Sequence, residues 1–347
     1  MEKVYGKSFS VSICDYKSIP LENEQANPVG RHLEGCRIGF DAGGSDRKVS
    51  AVIDGEAVFS EEVVWHPKTN SNSNYHYEGI LDSMKKAAEH MPKVDAIGVS
   101  SAGVYINNKV KVASLFLEVS KDEFDEKVAN MFFDIQKEMG GVPLEVANDG
   151  DVTALAGAMN LNDSCVLGIA MGTSEAGGYV NSSGNITGWL NELAFVPVDI
   201  YEGAMEDEWS LDIGCGVKYF SQDSVIKLAP NAGISLDEKL TPAEKLKEVQ
   251  KLHNEGSREA ARIFESIGCY LGYSIAYYAE FYDIKHVLIL GRVTSGKGGE
   301  LVLNYANKVL EKEFPNISKR IKLNIPNEKD RRVGQSIAAA SLPQINR

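Results

Sequence analysis

The chain is short of the features that mark several functional classes. Its 347 residues include only five cysteines. Cys14, Cys36, Cys165, Cys215 and Cys269 are scattered, odd in number and free of any Cys-x-x-Cys pair. That pattern argues against a disulfide framework and a cysteine zinc cluster, and for a reducing cytoplasm as the setting. No apolar run reaches the roughly 18 residues that a membrane span requires. The opening stretch Met1-Glu-Lys-Val-Tyr-Gly-Lys7 lacks the apolar core of a signal peptide. Positive charge is scarce: 36 Lys and Arg face 49 Asp and Glu, for a net charge of −13. With no basic stripe or arginine-rich arm, nucleic acid is a poor partner. An anionic ligand would have to be held by local backbone N–H groups and a cation, because long-range steering opposes it.

What is present is an ordinary globular composition, 43% hydrophobic and 24% charged, in a chain long enough for two domains. Residues 1–35 read as an extension. Within it Phe9-Ser-Val11-Ser-Ile13 alternates like an edge strand, and residues 20–28 are polar and turn-like. From Cys36 a meander of three strands is expected over 37–41, 49–53 and 57–64. The polar loop Lys68-Thr-Asn-Ser-Asn-Ser-Asn74 follows, mobile or bordering a site. Helical spacing covers 77–90 and 121–139, and strands are expected near 94–99 and 143–148. Asp149 opens an alanine-rich helix. The pattern then restarts with strands over 164–171 and 177–180 and a third from Ile186. A helix over 259–282, a strand over 287–290, a helix over 301–314 and a strand over 321–324 come next, and an alanine-rich helix over 333–342 closes the chain. These readings imply an α/β chain of two lobes, 36–150 and 151–347, with a cleft between them and the closing helix able to pack back on the first lobe.

Three strand ends carry the same turn chemistry. The first is Asp41-Ala-Gly43-Gly44-Ser45, the second Gly172-Thr173-Ser174-Glu175-Ala-Gly177-Gly178, and the third Gly291-Arg292-Val-Thr-Ser-Gly296. Glycine lets successive backbone N–H groups approach an anion, which makes a seat for phosphate. Asp41 at its strand end is placed to hold Mg²⁺ through water beside that seat. Two such turns could clamp the phosphates of ATP and the third could lie under adenine or ribose. A glycine turn is also the ordinary joint between strands. A fourth segment, Val146-Ala-Asn148-Asp149-Gly-Asp151, sets an Asn-Asp pair at the entry to a helix. A carboxylate there can take the proton of a hydroxyl attacking a γ-phosphate, and Asn148 can bind neighbouring hydroxyls. Asp149 or Asp151 as a plain helix cap is the competing reading.

From about Cys36 onward these residues resemble the ROK family of bacterial sugar kinases and sugar-responsive repressors, within the actin-like superfamily. Asp41–Ser45 resembles its first phosphate loop, and Gly172, Thr173, Gly177 and Gly178 match its second. Asn148 and Asp149 resemble its catalytic pair. The stretch Ile97-Gly-Val-Ser-Ser-Ala-Gly103 resembles the strand and turn before its sugar pocket. Residues 188–198, with Glu192, resemble its sugar-binding region, and Ile289-Leu-Gly291-Arg292 its adenosine-side glycine run. The resemblance implies two actin-like, ribonuclease H-like α/β lobes with an interlobe cleft. It implies ATP with Mg²⁺ as cofactors, a sugar as substrate, Asp149 as general base and a homodimer.

Four features depart from the family pattern. Phe195 stands where the sugar-binding motif has histidine. The zinc motif shrinks to Gly214-Cys215-Gly216, so no structural zinc is expected. Gln222 occupies the place of a sugar-binding glutamate. Glu175 adds a carboxylate to the second phosphate loop, where at about 4 Å from a phosphate it would repel by roughly 1–4 kcal/mol. Glu175 must therefore point away, coordinate a metal or weaken ATP binding. The expected activity is ATP-dependent phosphorylation of a hexose or amino sugar. The alternatives are an inactive sugar- or nucleotide-binding protein of the same fold, a BadF-type ATPase or an N-acetylglucosamine kinase. Trp189 could stack on a sugar. His66 and His76 are expected to be structural or solvent-facing, and Glu206-Asp-Glu208-Trp209 is expected to be a solvated loop.

Overall fold

The structure is a computed structural model that describes residues 2–21, 29–186, 189–326 and 328–345. Most of the turn expected over 20–28 lies outside the described residues, as does Gly188. The chain divides into two compact units. The first comprises Met1–Val152, Asn185–Leu190 and Lys329–Arg347, and the second Thr153–Gly184 and Asn191–Glu328.

The first unit opens with a single helical turn, α1 (Glu2–Tyr5). It continues as β1 (Cys36–Ala42), β2 (Asp46–Ile53), β3 (Glu56–Val64), α2 (Ser73–Ala88) and β4 (Ala96–Ser101). The small hairpin β5 (Val104–Ile106) and β6 (Lys109–Val112) follows, then α3 (Lys121–Glu123), α4 (Met131–Glu138), β7 (Leu144–Asn148) and α5 (Asp149–Leu161). The main sheet has the order β3-β2-β1-β4-β7. Its first three strands form the expected antiparallel meander, while β1, β4 and β7 run parallel. Each residue of β1 and β4 is buried, because these central strands are covered on both faces. Ile38, Phe40, Ile80, Met84, Phe132 and Ile135 belong to the core on this sheet.

The second unit contains β8 (Val166–Met171), β9 (Glu175–Val180), α6 (Gln222–Asn231), α7 (Pro242–Asn254) and α8 (Arg258–Tyr278). It ends in β10 (His286–Leu290), α9 (Lys297–Glu313), α10 (Pro315–Ser318) and β11 (Lys322–Asn324). Its sheet has the order β11-β10-β8-β9, with only β9 antiparallel. A separate core forms around Ile169, Phe264, Leu271, Ile289 and Leu310.

The chain then returns to the first unit as α11 (Glu328–Ala340). This helix lies directly on β1 and β4. A Cβ added to Gly39 would overlap the carbonyl of Ser336, and one added to Gly98 would overlap that of Ala339. Glycine at both positions lets the helix backbone rest on the sheet. Arg37, fully buried, donates to the carbonyls of Ala340 at 3.3 Å and Pro343 at 2.8 Å. The first of these is a terminal carbonyl of α11, which has no helical partner.

Several expectations are corrected. Residues 9–13 form no strand, and Phe9 and Ile13 are exposed. Alternation makes a strand only where a neighbouring backbone offers a ladder. The helix expected over 121–139 is broken: Phe124–Val128 is a π-helical turn between α3 and α4. Ile186 is a single β-bridge residue, and residues 187–188 after it lie outside the described residues. The first regular element described after it is a 3₁₀ turn over Leu193–Phe195. The hairpin β5–β6 and the helices α6 and α7 were not anticipated.

Candidate active site

The parallel strands of the first unit bring its polar residues to one sheet edge. In register, Asp41 sits opposite Ser100, and Ser101 opposite Asn148. The carboxyl ends of β1, β4 and β7 therefore present Asp41, Ser100, Ser101, Asn148 and Asp149 side by side. The carboxyl edge of a parallel sheet is where α/β folds place their ligands.

Asp41 is buried. Its Oδ1 accepts from Ser100 Oγ at 2.8 Å and from Gln335 Nε2 of α11 at 3.3 Å. Burial raises its pKa, against the lowering effects of the Lys48 charge and the Ser100 hydrogen bond. The turn beyond it, Gly43-Gly44-Ser45, is fastened by Trp65. The indole Nε1 donates to Gly43 O at 2.8 Å and the Trp65 N–H to Ser45 O at 3.2 Å. The Ser45 hydroxyl donates to Asp46 Oδ2 at 3.1 Å, and Asp46 Oδ1 pairs with Lys48 at 2.8 Å.

Asp149 is the first residue of α5 and only partly exposed. Its Oδ1 accepts from Gly150 N at 3.1 Å. The same N–H reaches Asn148 Oδ1 at 2.8 Å, while Asn148 Nδ2 donates to Gly103 O at 2.8 Å. Asn148 thus joins the β4 turn to the start of α5. Burial, and next the charge of Asp41, push the Asp149 pKa up to about 6, against the Gly150 N–H and the Lys68 ammonium. A carboxyl tuned so close to neutrality can both accept and release a proton at working pH. Tyr105, which sequence reasoning missed, stands nearby with its hydroxyl 2.6 Å from Ser101 Oγ. Burial raises its pKa and the Asp149 charge adds to the rise.

The second unit holds the other turns. Gly172 N donates to Ser174 O at 3.0 Å, and Gly172 O accepts from the backbone N–H of Gln222 at 2.9 Å. Gln222 is therefore placed against the second glycine turn at the start of α6, and Thr173 is exposed. Gly291 follows β10, which pairs with β8, so the third turn lies beside the second. Arg292 is exposed, and its carbonyl accepts from Gln250 Nε2 at 2.7 Å. Glu192 is exposed at the entry to the turn over Leu193–Phe195. Phe195 packs on Trp209 with ring centroids 5.5 Å apart. His76 is buried, with its nitrogens against the carbonyls of Asn72, Pro67 and Leu115.

Two charged groups here differ from expectation. Glu175 is buried, and neither of its carboxyl oxygens has a hydrogen-bond partner among the described residues. Burial alone pushes the Glu175 pKa up to about 8. The group keeps its proton at neutral pH, so the repulsive charge anticipated in the second loop is absent. The segment 206–209 is not simply solvated. Lys218, buried, pairs with Asp207 at 3.4 Å, Glu208 at 2.5 Å and Asp223 at 2.9 Å, and Asp207 is itself buried.

Among the described residues no group of three or more His, Cys, Asp or Glu side chains is placed to hold a metal ion. The donor set at the β1 edge fits Mg²⁺ of a different kind. Asp41 offers hard carboxylate oxygens there, and Mg²⁺ is commonly held by one or two carboxylates with water and phosphate. No described helix is long and apolar enough to cross a membrane.

No protein-family model matches the chain, and no curated protein matches it. Solved structures do. The ROK hexokinase of Thermus thermophilus superposes with a TM-score of 0.67 at 16% identity, covering 89% of this chain and 97% of its own. A ROK family glucokinase of Streptomyces griseus, solved with glucose and AMPPNP, gives 0.66 at 18%, covering 89% and 99%. A ROK family transcriptional regulator, a homologue of the E. coli MLC protein, gives 0.67 at 14%, covering 89% and 79%. At these identities the likeness is one of fold: the chain has the actin-like, two-lobed α/β fold of these structures.

Proposed function

We propose that this chain is a sugar kinase of the ROK type, transferring the γ-phosphoryl group of ATP to a hydroxyl of a hexose or amino sugar. One observation carries the reading. The Asp149 carboxyl stands at a sheet edge beside a glycine turn, with its pKa lifted to about 6. A phosphoryl acceptor needs a base of that kind, since phosphoryl transfer is otherwise a matter of positioning and charge. In this reading Asp149 takes the proton of the attacking hydroxyl, and Asn148 and Gly103 shape its surroundings. Glu192 and Gln222 are the candidate sugar contacts of the second unit. The backbone of Gly43, Gly44 and Ser45 and that of Gly172 and Thr173 seats phosphate, with Gly291 and Arg292 on the nucleoside side. Asp41 would hold Mg²⁺ through water, and the bound ion would neutralise charge on the transferring phosphoryl oxygens.

The test is ADP release, coupled to a spectrophotometric readout, over a panel of hexoses and amino sugars. Turnover with one of them, lost by orders of magnitude in kcat in Asp149→Asn with sugar affinity nearly kept, is the expected result. A folded wild type with no turnover on any sugar overturns the kinase reading.

A second reading is binding without catalysis, and Phe195 in the place of the sugar-binding histidine motivates it. Calorimetry separates the two, because a binder takes up sugar or nucleotide and leaves ATP intact.

A further inference from the structure

Lys68 is the residue of the first unit that the reading above leaves unused. It lies on the single turn Pro67–Thr69 that follows β3. Its stem crosses the first glycine turn. A Cβ built on Gly44 would come within 2.9 Å of Lys68 Cε and 3.3 Å of Nζ. Gly44 does not have a positive φ, so its backbone conformation does not demand glycine. The close approach shows that the end of the lysine side chain lies over the turn.

Two other cations lie on the strand after this turn, and both are engaged. Lys48 pairs with Asp46 at 2.8 Å. Arg47 donates from Nε to Ser83 Oγ at 2.9 Å and stacks its guanidinium over Trp65 at 5.6 Å. Lys68 is half-buried and makes no hydrogen bond or ion pair among the described residues, its ammonium acting on the Asp149 carboxyl only through its charge. Its three N–H donors are therefore open to a ligand.

The mounting of Lys68 is firm. Trp65, three residues before it, is tied to Gly43 O and Ser45 O. The His66 N–H donates to the Tyr75 hydroxyl at 3.0 Å. The Pro67 carbonyl lies 3.0 Å from His76 Nε2, and the Asn70 N–H closes the turn on it at 3.3 Å. The backbone that carries the ammonium is thus fixed from the glycine turn on one side and from α2 on the other. A cation held this way is preorganised for an anion seated on the same turn.

We infer that Lys68 is a phosphate ligand, contacting the terminal phosphate oxygens of a nucleoside triphosphate bound at Gly43–Ser45. The inference rests on the nucleotide reading of this turn and adds the group that neutralises the phosphate from the protein side.

The experiment is calorimetric titration of wild type, Lys68→Met and Lys68→Arg with ATP, ADP and adenosine in the presence of Mg²⁺. Loss of one charge-assisted contact should weaken ATP by about ten- to a hundredfold in Lys68→Met. Adenosine affinity should change by less than about twofold, and Lys68→Arg should recover most of the ATP affinity. Unchanged melting curves establish that the variants fold. ATP binding in Lys68→Met equal to that of wild type overturns the role of Lys68 and leaves the nucleotide site standing. An equal loss for ATP and adenosine also overturns it, since that marks a general disturbance of the site. A wild type that binds none of the three ligands overturns the nucleotide reading and this inference together.

Discussion

Glu175 makes the stability of the chain depend on pH in a direction opposite to that of most carboxylates. Its carboxyl is buried without a hydrogen-bond partner among the described residues, and its pKa rises from 4.5 to about 8 on folding. A raised pKa means that the folded state prefers the protonated form. The favourable contribution is complete below the unfolded value and disappears as pH climbs through the folded one. Each pH unit between the two removes about 1.4 kcal/mol, so roughly 3 kcal/mol of stability is lost by pH 7 and somewhat under 5 kcal/mol well above pH 8. Glu175→Gln keeps the shape and removes the titration. Urea denaturation of both proteins at pH 5, 6, 7 and 8 isolates the effect, because other titrating groups cancel in the difference. At pH 5 the two should differ by about 1 kcal/mol or less, and the variant should gain about 2–3 kcal/mol on wild type by pH 7. The slopes against urea must match for the comparison to hold. A wild-type-minus-variant difference that stays flat across this range would refute the claim that Glu175 is buried as a neutral acid.

The pKa of Asp149 sets the acid limb of the proposed reaction. The base works only when deprotonated, so kcat/KM should rise with pH, bend near 6 and then level. A pH–rate profile on the best sugar checks this, and a limb near pH 4 would show that neither burial nor Asp41 perturbs the group. Lys218→Met should destabilise the chain by about 3–5 kcal/mol, because it leaves the buried Asp207 carboxylate without its cation. Thermal or urea denaturation measures the loss, and Asp207→Asn added to the same variant should restore part of it.

The sequence makes some of this legible and conceals the rest for identifiable reasons. The meander, the strand ends at Asp41, Asn148 and Met171 and the long helix α8 are local patterns: apolar runs bounded by glycine or aspartate, and helical spacing of apolar residues. The parallel pairing of β1, β4 and β7 then carries Asp41 and Asn148–Asp149 to one edge, so finding the strands finds these residues. Lys68, Lys218 and Glu175 were not readable in this way. Each is a charged residue whose state is decided by how the fold packs around it. Lys68 lies in a polar loop of a kind usually solvated, and only the fastening of Trp65 and His76 turns that loop into a mount over Gly44. The segment 206–209 is as acidic as any exposed loop, and it is the burial of Lys218 that draws Asp207 inside. Glu175 carries a charge in the sequence and a proton in the fold, which is why a repulsion expected from residue type alone disappears on burial. Residue type fixes which charges a chain can carry, whereas packing decides which of them it keeps. In this chain the three charges settled by packing lie on or beside the very segments to which the phosphate-binding and sugar-binding roles are assigned.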